Sequence, residues 1–558
     1  MNACYVQART REKNPAPLRR TCGSAERMTR QEHETLLSDT ERSQGMTALR
    51  NNVVAAQALA DAVRSTLGPS GLDKMLVDGE GASTVTNDGV TVLETAKVEH
   101  PTARMLIAQS SAQDDRAGDG TTSTVLLTAE LLQNALDLAE IGIHPAIIES
   151  GYRMAAAEAA NHLLSISRDA SKSMLEDAVL TSLAGKSDEG VRSRLSVLAV
   201  EAATGLSDGN DGRSPDESTI KRIHELGRPS EASELVAGLV LAKQKVSPDM
   251  PLHPDGGKVL LLDGGISRRK PNLDASFTIR DPSMLEALQQ QEAADVKARV
   301  DAIAATGCSV LFARDGLDDM AIAALDSAGI TAYRRVEKPD LDLIAMTTGA
   351  TLIHEPSLAS AEDLGLFESL TESKWAEVNH LMLKGSKAHG YTLIVRGTSK
   401  VRIEEVERCF TDAVNVACNM VTDSRVVPGG GATQVSLSRH LRAWGATVAG
   451  REQLAIEAFA AALETIPMTL ATNAGMSALD ELISLTATQH EQGDWIGLDL
   501  VSKRQADMAE VGVVEPVGVA RNAILGATEA AVSVLRIDDV LWASQDPSQP
   551  DLGGEVED

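Results

Sequence analysis

Helical patterns occupy both ends of this chain, and short strands alternate with helices in the block between them. In the first and last thirds, apolar residues recur at three- and four-residue steps, the period of a helix with one buried face. In the middle, short apolar runs alternate with helical patterns, which is typical of a mixed α/β layer. We therefore expect a multidomain α+β fold, in which one helical domain is built from both chain ends and a second domain is inserted into it.

The individual elements follow from the same patterns. Helices are predicted at Asn51–Thr66, Pro101–Ala112, Thr121–Ile141, Pro145–Ile166, 172–200, 401–422, 451–471 and 516–535. Strands are predicted at Lys258–Asp263, Cys308–Ala313, Ile330–Tyr333, Thr351–His354 and Thr392–Arg396, with helices near 317–328 and 340–347. A hairpin is predicted from Lys74–Val77 to Thr84–Thr86.

Three polar stretches interrupt these patterns. Residues 264–305 are Gln-rich, contain a weakly amphipathic helix from about Pro282, and are expected to project from the middle block. Residues 205–233 are rich in Gly, Ser, Asp and Glu, which favours a linker or an exposed hairpin. Residues 1 to about 45 mix Arg, Glu, Ser and Pro, which favours a mobile extension, with a short strand possible only at Leu36-Leu37.

The charge balance limits the partners that the protein can have. The 558 residues include 80 acidic and 52 basic side chains, for a formal net charge of −28. Such a surface repels nucleic acids and anionic membranes, so we expect neither as a partner. An acidic, lysine-poor surface also suits concentrated salt, where charges are strongly screened, and it suggests a halophilic source.

Cysteine usage and hydropathy indicate the compartment. The five cysteines are odd in number, and no pair has the spacing of metal ligands. We find no uninterrupted run of 18 apolar residues and no apolar signal region near the N-terminus. These features predict a cytoplasmic protein with reduced thiols.

The stretch Gly118-Asp-Gly-Thr-Thr-Ser-Thr124 leads directly into a helical pattern. Its glycines let the backbone approach a ligand closely, and the helix that follows offers unpaired N–H groups to an anion. Asp119 would be misplaced beside a phosphate unless a divalent cation lies between them. The alternative is an ordinary glycine turn in which a threonine caps the helix. The stretch by itself favours neither interpretation.

Two other short motifs have ordinary interpretations when taken alone. Asn87-Asp88-Gly89 is typical of a plain tight turn. Gly185-Lys186-Ser187 is similar to the end of a Walker A loop, but that motif requires glycine at the position of Leu180. From their local patterns, Lys186 would be an exposed helix residue and Asp412 a solvated one.

Nine motifs match one protein family in the same order. They are Thr66–Met75, Thr86–Gly89, Glu99–Pro101, Gly118–Thr122, Gly142–Pro145, Val427–Gly431, Asn473–Gly475, Glu515-Pro516 and Leu535–Asp539. From about residue 34 to 543 the chain resembles a group II chaperonin subunit, similar to the archaeal thermosome and the eukaryotic cytosolic chaperonin. The resemblance implies an ATP-hydrolysing chaperone that encloses non-native client proteins within two stacked rings of identical or mixed subunits.

The resemblance also implies domain boundaries. A mainly helical equatorial domain would comprise about 28–167 and 424–558, ending in an acidic tail, and a hinge-like intermediate domain about 168–237 and 385–423. An inserted α/β apical domain would span about 238–384, with 264–305 as its helical lid protrusion. Residues 1–27, which precede an alternative start at Met28, would be a disordered extension.

Site residues are implied wherever this sequence matches a family motif. Asp88 and Asp412 would be catalytic, Asp412 by orienting the attacking water, and Asp119 would bind the Mg²⁺ that bridges the phosphates. Lys186 would sense the γ-phosphate, and Glu515 would contact the ribose. The residues expected to bind ATP are Thr66, Leu67, Gly68, Pro69, Asn87, Gly118, Asp119, Gly120, Thr121, Thr122, Ser123, Lys186, Gly430, Gly431 and Glu515.

Some positions depart from the family pattern. Ser70 replaces a usual lysine, Gln434 a usual glutamate, and Ala520 a common lysine. Because the three aspartates are retained, ATP hydrolysis is still predicted. The departures suggest a divergent paralogue, and they support the alternative of a structural ring subunit or holdase with weak or no ATPase activity.

Overall fold

The computed structural model describes residues 40–77, 81, 83–95, 98, 100–208, 217–268, 282–375, 378–386 and 390–543. The predicted extension at 1–27, the strand at Leu36-Leu37 and the acidic tail lie outside these residues. Contacts divide the chain into two units, Met1–Asn51 with Ile537–Asp558, and Asn52–Arg536. The three-domain boundaries inferred from the resemblance stay a prediction.

The first unit contains a two-stranded antiparallel sheet that joins the two ends of the described chain. Thr40–Gln44 pairs with Asp539–Ala543, and Thr40 lies opposite Ala543. The sequence analysis placed residues up to about 45 in a mobile extension, which is wrong for this strand. Its sequence, TERSQ, has no apolar alternation, so nothing in its local pattern marks it as a strand.

Helices make up most of the described chain. Those that begin before residue 300 are Met46–Arg64, Gly89–Thr95, Pro101–Ala117, Thr121–Glu140, Pro145–Ile166, Lys172–Ser182, Glu189–Asp208 and Pro282–Ala305. Those that begin later are Asp319–Ser327, Lys338–Thr348, Lys400–Thr422, Ala432–Gly445, Glu452–Leu463, Thr465–Asn473, Ala478–Gln492, Met508–Val511 and Val517–Leu535. The predicted helices are confirmed, with shifted ends, and the run at 172–200 is divided by a turn. Gly89–Thr95, Ala432–Gly445, Ala478–Gln492 and Met508–Val511 were missed.

The largest sheet has seven strands and lies in the middle of the chain. Its order is Thr331–Tyr333, Val310–Ala313, Gly257–Leu262, Gly365–Trp375, Val378–Gly385 and Leu239–Leu241, with Leu352–Ile353 also paired to Gly257–Leu262. The side that contains Val310–Ala313 is parallel, and the long hairpin on the other side is antiparallel. The predicted α/β block is therefore confirmed, together with an antiparallel hairpin that we did not predict.

Two three-stranded sheets connect distant parts of the sequence. One contains Ile220–Leu226, Tyr391–Gly397 and Glu234–Ala237; the other contains Val514–Pro516, Arg425–Pro428 and Arg168–Asp169. The predicted strand at Thr392–Arg396 thus belongs outside the seven-stranded sheet. The predicted linker or exposed hairpin at 205–233 is wrong at 205–208, where the Glu189–Asp208 helix ends, and from residue 220 onward, where Ile220–Leu226 pairs in parallel with Tyr391–Gly397. The two remaining hairpins are Lys74–Val77 with Ser83–Thr86, as predicted, and Ile496–Asp499 with Arg504–Asp507.

The expected projection at 264–305 is wrong for its last part. In the Pro282–Ala305 helix, Val296, Val300 and Ile303 are fully buried and belong to the same core cluster as Leu260 and Leu311 of the large sheet. Residues 269–281 lie outside the described part of the chain. The C-terminal half of this helix therefore covers one face of the sheet.

One stretch of the helical region is apolar enough to be mistaken for a membrane segment. By length and composition Glu452–Asn473 could cross a membrane, and our search for uninterrupted apolar runs missed it. However, 67% of its most apolar window is buried within the protein, and it is divided into two helices. Because Phe459 and Leu463 have no exposed surface, we interpret these helices as part of the core.

We expect Gly118→Ala to destabilise the protein more than Gly142→Ala. Both glycines follow a helix and have left-handed backbones, with φ values of 66° and 93°, so alanine costs about 1–2 kcal/mol at either position. At Gly118 the added Cβ would also overlap Cβ of Asn415, whereas Gly142 has open space. That overlap should cost a further 1–3 kcal/mol or so. Urea unfolding followed by circular dichroism would measure the difference, and equal losses would contradict the expected contact.

Candidate functional site

Most of the predicted site residues line a single cavity of about 530 Å³. The predicted residues that line it are Thr66, Leu67, Gly68, Pro69, Asn87, Asp88, Asp119, Gly120, Thr121, Thr122, Ser123, Lys186, Gly430, Gly431 and Glu515. Gly118 and Asp412 are not among the described residues that line it. The structure thus brings together segments that are separated by more than 400 residues of sequence.

The N-terminus of the Thr121–Glu140 helix opens into this cavity. Gly120 is the N-cap, with φ of 82°, and no side chain makes a capping hydrogen bond there. The alternative in which a threonine caps the helix is therefore wrong. Uncapped N–H groups and the positive end of the helix dipole favour an anion at this position. Thr121 and Thr122 also line the cavity, where their hydroxyl groups can donate hydrogen bonds.

Asp88 is more than part of a plain turn, because it also caps a helix. Its Oδ2 accepts hydrogen bonds from the backbone N–H and the hydroxyl of Thr91, at 2.8 and 2.7 Å. The Gly89–Thr95 helix begins immediately afterwards. A Cβ on Gly89 would lie 2.5 Å from the Thr122 hydroxyl, so only glycine lets the two helix N-termini approach this closely. The carboxylate of Asp88 is thereby held at the cavity wall.

Lys186 forms a buried ion pair with Asp412. Its Nζ donates to Asp412 Oδ2 at 2.8 Å and lies 3.8 Å from Asp119 Oδ1. The side chains of Lys186 and Asp412 are only 16% and 14% exposed, so the prediction of two solvated helix residues from their local patterns is wrong. Lys186 lies in the turn that separates the Lys172–Ser182 and Glu189–Asp208 helices. Asp412 lies on the Lys400–Thr422 helix.

Burial and neighbouring charges alter the pKa values of this pair. Burial alone would lower the pKa of Lys186, but Asp412, Asp119 and Asp88 outweigh it and hold that pKa well above its ordinary value. Burial raises the pKa of Asp412 to about 7, and nearby Asp88 adds to the rise while Lys186 opposes it. Lys186 is therefore a permanent cation, and its partner Asp412 binds a proton more readily than an ordinary aspartate because its pKa is raised.

The sequence analysis missed a fourth carboxyl group in this cluster. Burial raises the pKa of Asp114 to about 6, and the charges of Asp88 and Asp119 add to the rise. Asp114 lies one turn before Gly118, and its carbonyl accepts the hydrogen bond that ends the Pro101–Ala117 helix. The only sequence signal for Asp114 is its position one turn before the glycine motif. The next residue, Asp115, is also an aspartate, so residue type alone does not single out Asp114.

The glycines at 430 and 431 are needed for packing as well as for lining the cavity. Their φ values are 59° and 73°, in the left-handed region. A Cβ on Gly430 would lie 2.6 Å from the Leu498 carbonyl oxygen, and one on Gly431 would lie 2.6 Å from Pro467 Cβ. Their conformation and these close approaches explain the glycines without any ligand.

The carboxylates fit a magnesium ion only when a ligand supplies other oxygens. Among the residues that the structure describes, no three His, Cys, Asp or Glu side chains are grouped so that they could hold a metal by themselves. Magnesium at phosphate-transfer sites is commonly bound by one or two carboxylates together with phosphate oxygens and water. Asp119, at the cavity wall beside the helix N-terminus, fits that arrangement.

Comparison with known proteins identifies the family. The model of the TCP-1/cpn60 chaperonin family matches residues 59–545. The chain is 41% identical over 526 residues to thermosome subunit beta of Archaeoglobus fulgidus, covering 93% of this chain and 96% of the relative. The chain belongs to the TCP-1/cpn60 chaperonin family. This chaperonin is also 40% identical over 525 residues to a thermosome subunit of Methanocaldococcus jannaschii, covering 93% of this chain and 96% of the relative.

The relatives confirm the resemblance drawn from the motifs. A thermosome subunit of Pyrococcus horikoshii is 39% identical over 511 residues, covering 91% of this chaperonin and 93% of the relative. The chaperonin is therefore of the group II type, and the α+β multidomain fold class is confirmed. The suggested halophilic source stays a prediction.

We expect Glu515→Gln to stabilise the nucleotide-free protein at pH 8 but not at pH 4.5. Burial, and to a smaller extent Asp119, raises the pKa of Glu515 from 4.5 to about 7. The folded state therefore binds a proton that the unfolded state releases, and this stabilisation is lost as the pH rises through about 7. The shift corresponds to at most about 3 kcal/mol, which water in the cavity reduces.

Urea unfolding across this pH range would test the expectation. Glu510→Gln is the matched control, because Glu510 is an exposed glutamate close by in the sequence. A Glu515→Gln variant that is no more stable than the wild type at pH 8 would show that burial does not raise the pKa of the Glu515 carboxyl.

Proposed function

We propose that this chaperonin subunit binds Mg²⁺-ATP in the cavity and hydrolyses it, and that hydrolysis drives the enclosure of non-native client proteins. The observation that carries the proposal is the buried contact of Lys186 with Asp412 beside Asp119. Three segments far apart in sequence contribute these charges to one site. A buried cluster of this kind is costly for a fold to maintain, and such clusters are concentrated at functional sites.

The polyphosphate would bind at the N-terminus of the Thr121–Glu140 helix. Its uncapped N–H groups and the Thr121 and Thr122 hydroxyls supply donors, and the turn at Gly68-Pro69 lies on the same cavity wall. Asp119 would hold the magnesium ion, which neutralises charge on the phosphates. With magnesium between them, the Asp119 carboxylate would not repel the phosphates. This would explain why an aspartate occurs beside a helix N-terminus that binds phosphate.

Asp412 would orient the water that attacks the γ-phosphorus, with ADP as the leaving group. Burial raises the pKa of the Asp412 carboxyl, which makes it a better proton acceptor from water than an ordinary aspartate. Lys186 holds the Asp412 carboxylate in place, and Asp88 adds a second carboxylate at the cavity wall. Phosphoryl transfer depends mainly on such positioning and on charge stabilisation.

Asp412 and Lys186 would also couple hydrolysis to movement. They lie on the Lys400–Thr422 helix and on the turn before the Glu189–Asp208 helix, and these two helices pack together around Phe410 and Leu195. Asp88 and Asp119 lie just before two other helices, which begin at Gly89 and Thr121. If Asp412 and Lys186 moved away from Asp88 and Asp119, the attacking water would no longer be oriented at the phosphates. Hydrolysis would then stop.

The proposed partners are client proteins and other chaperonin subunits in a double ring in the cytoplasm. The similarity to thermosome subunits supports this assembly. The equatorial, intermediate and apical boundaries predicted from the sequence belong to the same proposal. Lys186 and Asp412 would then both lie in the intermediate domain, and Asp88 and Asp119 in the equatorial domain.

A holdase or structural ring subunit with weak ATPase activity is the second candidate. Gln434, which replaces the usual glutamate, lines the cavity directly, so the substitution changes the charge of the site itself. Measuring Mg²⁺-dependent ATP hydrolysis by the purified protein, in low and in high salt, separates the two. Turnover that rises with Mg²⁺ supports the enzyme, and ATP binding without turnover supports the holdase.

We expect Asp412→Asn to lower ATP turnover by roughly 100-fold or more in a folded variant that still binds ATP, with thermal unfolding as the check on folding. Asparagine keeps the shape of the side chain but cannot take a proton from water. Steady-state turnover and equilibrium ATP binding would be measured on the same preparation. Glu404→Gln is the matched control, since Glu404 is an exposed acid on the same helix. Turnover that survives in the Asp412 variant would exclude this residue from the chemistry.

A further inference from the structure

The cavity proposed to bind ATP carries an excess of negative charge. Among the residues that the structure describes, its lining contains six acidic and two basic side chains. The carboxylates are Asp88, Asp119, Asp177, Glu189, Asp499 and Glu515, and the cations are Lys186 and Arg192. ATP is itself a polyanion, so a cavity with this lining repels it unless cations are free to meet its phosphates.

Lys186 is already occupied by charges of the protein. Its Nζ is bonded to Asp412 and lies near Asp119, and its pKa is raised because these carboxylates surround it. Its positive charge mainly balances the negative charges of Asp412 and Asp119. Magnesium on Asp119 would neutralise part of the phosphate charge, and a protein cation other than Lys186 would bind the phosphate oxygens that the metal does not contact.

Arg192 is the cation without a partner of its own. Within the described chain it forms no ion pair and its guanidinium makes no hydrogen bond, and its Nε is buried without a partner. A guanidinium carries five N–H donors, and leaving a buried one unsatisfied costs about 1–3 kcal/mol. The side chain is half-buried in the wall of the cavity. Unlike Nε, the two Nη groups are not among the buried atoms, so they are the donors that an anionic ligand in the cavity can reach.

The segment that carries Arg192 also carries Lys186. The backbone N–H of Arg192 bonds to the Asp188 carbonyl at 2.9 Å, within the first turn of the Glu189–Asp208 helix. Arg192 is six positions after Lys186, which lies in the turn before that helix. The two cations therefore reach the cavity from one continuous stretch of chain.

We propose that Arg192 binds the polyphosphate of the nucleotide directly and supplies the free cation that Lys186 cannot. The proposal rests on the ATP-binding function proposed above. Guanidinium and phosphate match in geometry, because two parallel N–H groups can meet two phosphate oxygens. Arg192 thus makes the cavity bind a nucleoside triphosphate or diphosphate more tightly than an uncharged nucleoside.

The test compares the affinities of Mg²⁺-ATP, Mg²⁺-ADP and adenosine for the full-length protein by calorimetry and competition. Arg192→Met keeps the apolar stem and removes the charge, and Arg192→Lys keeps the charge without the paired donors. Arg521→Met is the matched control, because Arg521 is an exposed arginine outside the cavity. Thermal unfolding of each variant checks that it is folded.

We expect Arg192→Met to weaken ATP and ADP binding by roughly 10- to 100-fold, with adenosine binding unchanged and partial recovery in Arg192→Lys. Unchanged ATP affinity in Arg192→Met would overturn the proposal, and so would an equal loss for ATP and adenosine, which indicates a structural effect. A wild-type protein that binds no ATP would instead overturn the proposed function, and this proposal with it.

Discussion

The buried pair of Lys186 and Asp412 is the interaction on which the arrangement of the site depends. It joins a turn and a helix that are 226 residues apart in sequence, and both side chains are largely removed from water. Taking two charges out of water is expensive, and removing one partner would leave the other uncompensated, at a cost of about 3–5 kcal/mol. The pair therefore keeps its two segments together, and it keeps Asp412 close to the cavity without making it part of the lining.

Glycines let the remaining segments come close enough to complete the cavity. A Cβ on Gly185 would lie 2.7 Å from the Gly68 carbonyl oxygen, so the turn of Lys186 rests directly on the turn before Pro69. Gly89 likewise has no Cβ to collide with Thr122, so the helix N-terminus beside Asp88 can lie against the helix N-terminus that contains Thr122. The site is thus assembled by backbone contacts between short turns, and its charged side chains are held by helices behind them.

The sequence predicted the parts of the fold and site that leave a local signal. Periodic apolar residues marked the Thr121–Glu140 helix, and the glycine motif marked the helix N-terminus at the cavity. The strand at Ile220–Leu226 and the burial of Lys186 left no such signal, because both depend on partners far away in the chain. Arg192 was missed for the same reason, since its lack of a partner is visible only when its surroundings are known.

The pairing of Thr40–Gln44 with Asp539–Ala543 has a consequence for the synthesis of the chain. A ribosome releases the first strand about 500 residues before its partner exists, whereas domains usually fold as they emerge. Until Asp539–Ala543 emerges, the backbone groups of Thr40–Gln44 that face it lack their partners in this sheet. The sheet can therefore form only late in synthesis, and its presence marks a chain that has been translated through residue 543.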